Sequence, residues 1–121
     1  MRKLIVLAAV FLIAVPSLIY AGKSLGWWPL INGFDISAHS SVSIGLAVLV
    51  AVLLRKLGTT PTYLSIIVPV MLIGVFWELG QLILNQTWYV SHYDMIKDVA
   101  IDFTGALIGA TMVDVVQRGQ L

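Results

Sequence analysis

The chain has 121 residues, of which 60% are hydrophobic and 11% charged, and its mean hydropathy is +0.99. A water-soluble domain of that length lacks the interior volume to hide so much apolar surface, so the composition excludes a soluble globular protein and calls for lipid surroundings. A net charge of +1 gives no basic field for nucleic acid, and the absence of cysteine excludes disulfides, thiolate catalysis, iron–sulfur ligation and cysteine-bound zinc.

Arg2 and Lys3 precede an apolar run from Leu4 to Ala21, a combination that a secretory signal would share. A cleavable signal needs small residues one and three positions before the cut. Ala21 satisfies the first and Ile19 breaks the second, so this run is expected to stay as a first membrane helix over about 4–21. The segment from Gly22 to Phe34 brings Gly26, Trp27, Trp28, Pro29 and Gly33 together, which reads as a turn with indoles anchored at the membrane interface.

A second helix is expected over about 36–54, stopped by Arg55 and Lys56, with Gly58 to Pro61 as a short turn. The third covers about 63–84, and Pro69 inside it is expected to bend the helix without ending it. Asn85 to Met95 is polar and aromatic and reads as a second interfacial loop; its Asn85-Gln86-Thr87 fits a glycosylation acceptor but hugs the helix end and carries little weight. A fourth helix is expected over about 96–116. The fold class is therefore all-α: one transmembrane domain over 1–121, a polytopic membrane bundle of four transmembrane helices in which short connections make successive helices antiparallel neighbours.

Cationic residues set the expected orientation. Arg2, Lys3, Arg55, Lys56 and Arg118 fall on one side and only Lys23 and Lys97 on the other, which puts both termini in the cytoplasm.

Five of the six acids, Asp35, Glu78, Asp94, Asp98 and Asp102, then gather toward the opposite ends of helices two, three and four. At ~1.5 Å per residue, Glu78 lies about 9 Å from the end of its helix, Asp102 at a similar level, His39 at about 6 Å, and Asp98 one turn above Asp102. Helical phase agrees: Asp35, His39 and Ser43 share a face, as do Gly74, Glu78 and Gln81, and Asp98, Asp102, Gly105 and Gly109. The small residues permit close backbone approach. The expected interior is tight in its cytoplasmic half, with a tapered polar cavity in its outer half.

Carboxylates at such depth must face one another, water or a partner. Glu78, Asp98 and Asp102 are the candidate ligands of a divalent cation such as magnesium, calcium, manganese or zinc. Glu78, His39 and Asp102 are the candidate catalytic groups, and Asp35, Gln81, Asp98 and Lys97 the candidate ligand-binding groups. Plainer roles compete at each position. His39 and Glu78 can serve as helix-interface hydrogen-bonding groups, Asp35 and Asp94 as helix caps, Asp98 as an acid favoured by the dipole at the start of its helix, and Asp114 with Arg118 as a surface pair.

The runs Asp35-Ile36-Ser37-Ala38-His39, Glu78-Leu79-Gly80-Gln81 and Asp98 to Gly105, with Gly109, resemble the VanZ-like family of small polytopic membrane proteins. That family shows a histidine near the start of one helix, a Glu-x-x-Gln in the next and an Asp-x-x-x-Asn-x-x-Gly-x-x-x-Gly run in the last. The resemblance implies a membrane location and, for some relatives, a link with resistance to glycopeptide antibiotics. Two departures stand out: Asp102 occupies the asparagine position, and no arginine lies in the Asn85 to Lys97 stretch. Both make the site more acidic and move the balance toward a cation.

The leading functional expectation is an outer-leaflet acidic and histidine pocket that binds or processes a lipid or envelope-linked substrate, with membrane lipids as partners and no nucleic acid. Catalysis stays open. The alternatives are a non-catalytic structural or accessory membrane subunit and a cation or proton transporter, which with four helices per chain would need a homo-oligomer.

Overall fold

The structure, a computed structural model, describes the backbone of residues 1–26, 31–85 and 92–120, and the side chains of these residues except 31–35, 82, 84, 85 and 92–94. A first rod consists of α1 (Arg2–Ala9), a π-helical segment (Val10–Ala14) and α2 (Val15–Ser24). Three long helices follow: α3 (Ile31–Lys56), α4 (Tyr63–Asn85) and α5 (His92–Gln117). Four helices are long and apolar enough to span a membrane, over Arg2–Ser24, Ile36–Lys56, Tyr63–Gln81 and Met95–Gln117. The outside of the bundle is correspondingly apolar, with Ile13, Leu18, Leu64, Phe76, Trp77, Ile83 and Ile96 all exposed, as a surface surrounded by acyl chains requires.

Helix ends follow local chemistry. Thr62 and Ser65 cap α4 reciprocally, the Thr62 N–H donating to Ser65 Oγ at 2.8 Å and the Ser65 N–H to Thr62 Oγ1 at 3.3 Å. Helix α3 closes on Gly58 at φ 79°, where the Thr59 and Gly58 N–H groups return to the carbonyls of Leu54 and Arg55; this cap needs a residue that tolerates the left-handed region. Pro69 lies inside α4 without ending it.

Two expected boundaries move. Helix α3 begins at Ile31 and α5 at His92, several residues earlier than the polar residues there indicated. Asp35 and Asp94 therefore sit within helical backbone instead of capping it. Their side chains, the interfacial tryptophans and the acceptor sequence at Asn85 lie outside the described residues.

Helix α3 is the central element, packed on α5, α4 and the first rod. Gly105 approaches Ser40 and Ser43, and Gly109 approaches Ile44 and Ala47, so residue numbers rise together and α3 and α5 run parallel. The fit is close: a Cβ at Gly109 would lie 2.6 Å from Ala47 Cβ and 2.8 Å from the Ile44 carbonyl oxygen. Gly74 instead faces Asp102, and Glu78 faces Asp98, so α4 runs antiparallel to α5. Leu4 and Ala8 share the buried cluster with Val52, Ala110 and Val113, which brings Arg2 and Lys3 to the end of the bundle that carries Arg55, Lys56 and Arg118.

The rod is locked by its π segment. A π turn frees a main-chain carbonyl, and Ser41 Oγ donates to the Phe11 carbonyl at 2.6 Å, while Leu12 packs against the backbone at Gly45.

Candidate functional site

Two i,i+4 pairs create the site. His39 and Ser43 lie on one face of α3, Asp98 and Asp102 on one face of α5, and the parallel run of these helices sets pair against pair. His39 Nδ1 faces Asp102 Oδ1 at 3.5 Å and His39 Nε2 faces Asp98 Oδ2 at 3.9 Å. Ser43 Oγ donates to Asp102 Oδ1 at 2.6 Å. Space for Asp102 comes from α4: a Cβ at Gly74 would lie 2.7 Å from Asp102 Oδ2.

Glu78 enters from α4, one turn beyond Gly74. It is 1% exposed, and neither of its carboxylate oxygens has a hydrogen-bond partner among the described residues. Its flanking residues Phe76 and Trp77 are exposed, so the helix turns its one carboxylate inward and its aromatic rings outward. One ligand atom each from His39, Glu78 and Asp98 lie within 4.8 Å of one another. This histidine, glutamate and aspartate cluster is capable of coordinating a divalent cation. In the bundle, Glu78 pairs in level with Asp98, whereas equal counting from the expected helix ends set it beside Asp102. The difference follows from the earlier start of α5.

Beside the cluster lies a cavity of about 410 Å³, lined by His39, Ser43 and Asp102 and otherwise by apolar residues, among them Val42, Ile73 and Trp77. These three are exposed, so the cavity opens sideways on the outer surface of the bundle between α3 and α4. The expected polar cavity thus has a mostly apolar wall with one polar corner.

Placement of the other expected site residues is mixed. The Gln81 side chain makes no hydrogen bond and Lys97 no ion pair among the described residues, and the Asp35 side chain lies outside them. Asp114 and Arg118 form the expected surface pair, with Arg118 Nε 3.0 Å from Asp114 Oδ2. Ser43 and Gly74 were legible as members of the polar faces but not as the donor and the gap that hold Asp102. Leu46 continues the face of His39 and Ser43 on α3, as its spacing indicates, and Val42, three residues on from His39, completes that side of the cavity wall.

The family described as "Predicted membrane protein (DUF2238)" matches residues 1–119. The chain belongs to this family. The VanZ-like resemblance is thereby corrected. The spaced histidine, acids and glycines that carried it are individually common residues, and Asp102 for asparagine and the absence of arginine in the loop depart from its pattern. No curated protein and no solved structure matches the chain. Membership and structure together define an integral, multi-pass membrane protein with a largely buried histidine, glutamate and aspartate cluster that can take a metal ion or an acidic substrate.

Proposed function

We propose that this protein binds or processes a lipid or lipid-linked envelope substrate, with the apolar portion in the cavity between α3 and α4 and the polar head group at His39, Asp98, Asp102 and Glu78. The observation that carries this reading is the cavity itself: about 410 Å³, walled by apolar residues, open on the bundle's outer face and ending at His39, Ser43 and Asp102. Its volume falls within the ~300–1,000 Å³ of small-molecule sites. A sideways opening between membrane-spanning helices admits a ligand already dissolved in the bilayer, and polar groups at one end select an amphiphile over a simple hydrocarbon.

The cation distribution supports an orientation with both termini cytoplasmic, which puts the cluster toward the outer leaflet, at the depth of a head group bent into the bundle. If the substrate is processed, His39 and Glu78 supply the acid and base from adjacent helices.

The test is native mass spectrometry with lipid analysis of protein purified in mild detergent, comparing wild type with Val42→Trp, which fills the opening from an exposed position. We expect a co-purifying amphiphile in wild type and at least a tenfold lower occupancy in the variant at unchanged thermal stability. Equal lipid complements in the two folded proteins would overturn the reading.

A further inference from the structure

The geometry points to a specific metal centre: His39 Nε2, Glu78 and Asp98 form a three-ligand site for a first-row transition divalent ion of the zinc or manganese class, and Asp102, held by Ser43, is the positioning residue that turns His39 toward it.

Glu78 is the first reason. A carboxyl group 1% exposed with both oxygens unpartnered among the described residues is costly within an apolar bundle. It stands within 4.8 Å of one nitrogen of His39 and one oxygen of Asp98. A divalent ion satisfies it at once, and two carboxylates with one +2 ion make a neutral group.

The gap between His39 and Asp98 is the second. At 3.9 Å it is too long for a hydrogen bond, and neighbouring ligands ~2.0–2.1 Å from a tetrahedral ion stand about 3.4 Å apart, so a closure of about half an ångström brings the pair to coordinating distance.

The third is the set of groups around the imidazole. Nδ1 faces Asp102 Oδ1 at 3.5 Å, a small closure short of a hydrogen bond, and that oxygen is anchored by Ser43 at 2.6 Å. A proton held on Nδ1 leaves the lone pair on Nε2 directed toward Asp98 and Glu78. Metal-binding histidines are oriented in this way by an outer carboxylate. The imidazole suits zinc or iron and the two carboxylates also suit manganese, a mixed nitrogen and oxygen set that magnesium and calcium, with their all-oxygen shells, match less well. Three protein ligands leave coordination positions for an oxyanion, and His39 also lines the cavity.

The experiment is metal titration of chelator-stripped protein in detergent, using Zn²⁺, Mn²⁺, Co²⁺, Mg²⁺ and Ca²⁺ individually, with stoichiometry by elemental analysis and the Co²⁺ visible spectrum as the ligand signature. We expect one Zn²⁺ or Mn²⁺ per chain, with Mg²⁺ and Ca²⁺ at least 100-fold weaker. Glu78→Gln and His39→Gln should abolish stoichiometric binding, whereas Asp102→Asn should retain the stoichiometry and the number of nitrogen and oxygen ligands while weakening affinity ~10–100-fold. Thermal unfolding of each metal-free variant verifies that it is folded.

No metal retained by folded wild type, or Mg²⁺ bound as tightly as Mn²⁺ and Zn²⁺, would overturn the site. Loss of stoichiometry in folded Asp102→Asn would make Asp102 a ligand and overturn its positioning role. This inference goes beyond the lipid reading: metal bound with no lipid retained refutes that reading and leaves the centre standing, and lipid retained without metal does the reverse.

Discussion

Ser43 and Asp102, 59 positions apart in sequence, are joined by a 2.6 Å hydrogen bond within the buried interior, on the same carboxylate oxygen that faces His39. A serine hydroxyl here does more than fill space between α3 and α5, because it occupies one acceptor site of the carboxylate and fixes the direction of the rest. Ser43→Ala would leave that oxygen without its donor in a buried position, a loss of about 1–3 kcal/mol. Chemical denaturation in detergent micelles should show this loss. In a double-mutant cycle with Asp102→Asn, the two changes should couple by more than ~0.5 kcal/mol; additive effects would show that the bond contributes nothing to stability.

Gly74 makes the opposite kind of contribution, by what it omits. A Cβ there would lie 2.7 Å from Asp102 Oδ2 and 3.4 Å from its carboxyl carbon. Gly74→Ala should push the carboxylate away from His39 and cost about 1–3 kcal/mol through overpacking. Gly80, whose Cβ would meet nothing within 4 Å, is the matched control on the same helix. Alanine at Gly80 should be neutral or stabilising, since alanine is favoured over glycine in a helix by up to ~1 kcal/mol. Thermal unfolding that ranks the two variants in the other order would refute this account of Gly74.

Much of this arrangement could be read from residue spacing. Acids and a histidine are so costly in an apolar helix that their positions mark the inward faces, and spacings of four set His39 with Ser43 and Asp98 with Asp102. What spacing could not supply is the relative sliding of helices. Polar residues at Asp35 and Asp94 resembled helix caps, yet the helical backbone runs on past them, and moving the start of α5 shifts the partner of Glu78 by one turn. The apolar character of the cavity wall escaped for a different reason: Val42 and Ile73 lie outside the polar stripes of their helices, among apolar neighbours from which periodicity does not distinguish them.

Glu78 should show opposite effects on stability and on ligand binding. In metal-free protein, replacing a buried carboxylate that lacks a hydrogen bond and stands within 4.8 Å of Asp98 by the near-isosteric neutral amide removes a like-charge repulsion. Glu78→Gln should therefore raise the thermal midpoint of the metal-free protein while losing any stabilisation by added Zn²⁺ or Mn²⁺. Wild type should gain stability in proportion to the logarithm of metal concentration above saturation. A variant less stable than metal-free wild type would mean that Glu78 has a structural partner that the described residues do not reveal.

The parallel pair α3 and α5 should be the least tolerant interface in the bundle. At Gly109, an added Cβ would meet Ala47 Cβ at 2.6 Å, the Ile44 carbonyl oxygen at 2.8 Å and the Ile44 Cα at 3.3 Å, and two of these are main-chain atoms that cannot rotate aside. Contact of this kind separates the helices over several turns, and Ala47, Val48 and Ala51, all buried in the same cluster with Ala106 and Ala110, would lose their neighbours together. Gly109→Val should accordingly destabilise by more than the ~1–3 kcal/mol usual for overpacking. Because Ser43 and Asp102 lie on this same interface, metal affinity should fall with stability. At Gly26, whose added Cβ would meet nothing within 4 Å but whose φ is +74°, valine should strain only a local turn and leave metal affinity unchanged. Denaturation midpoints and metal titrations on the same samples check both halves: a Gly109→Val protein with wild-type midpoint would show that the helices do not approach as closely as their glycines allow.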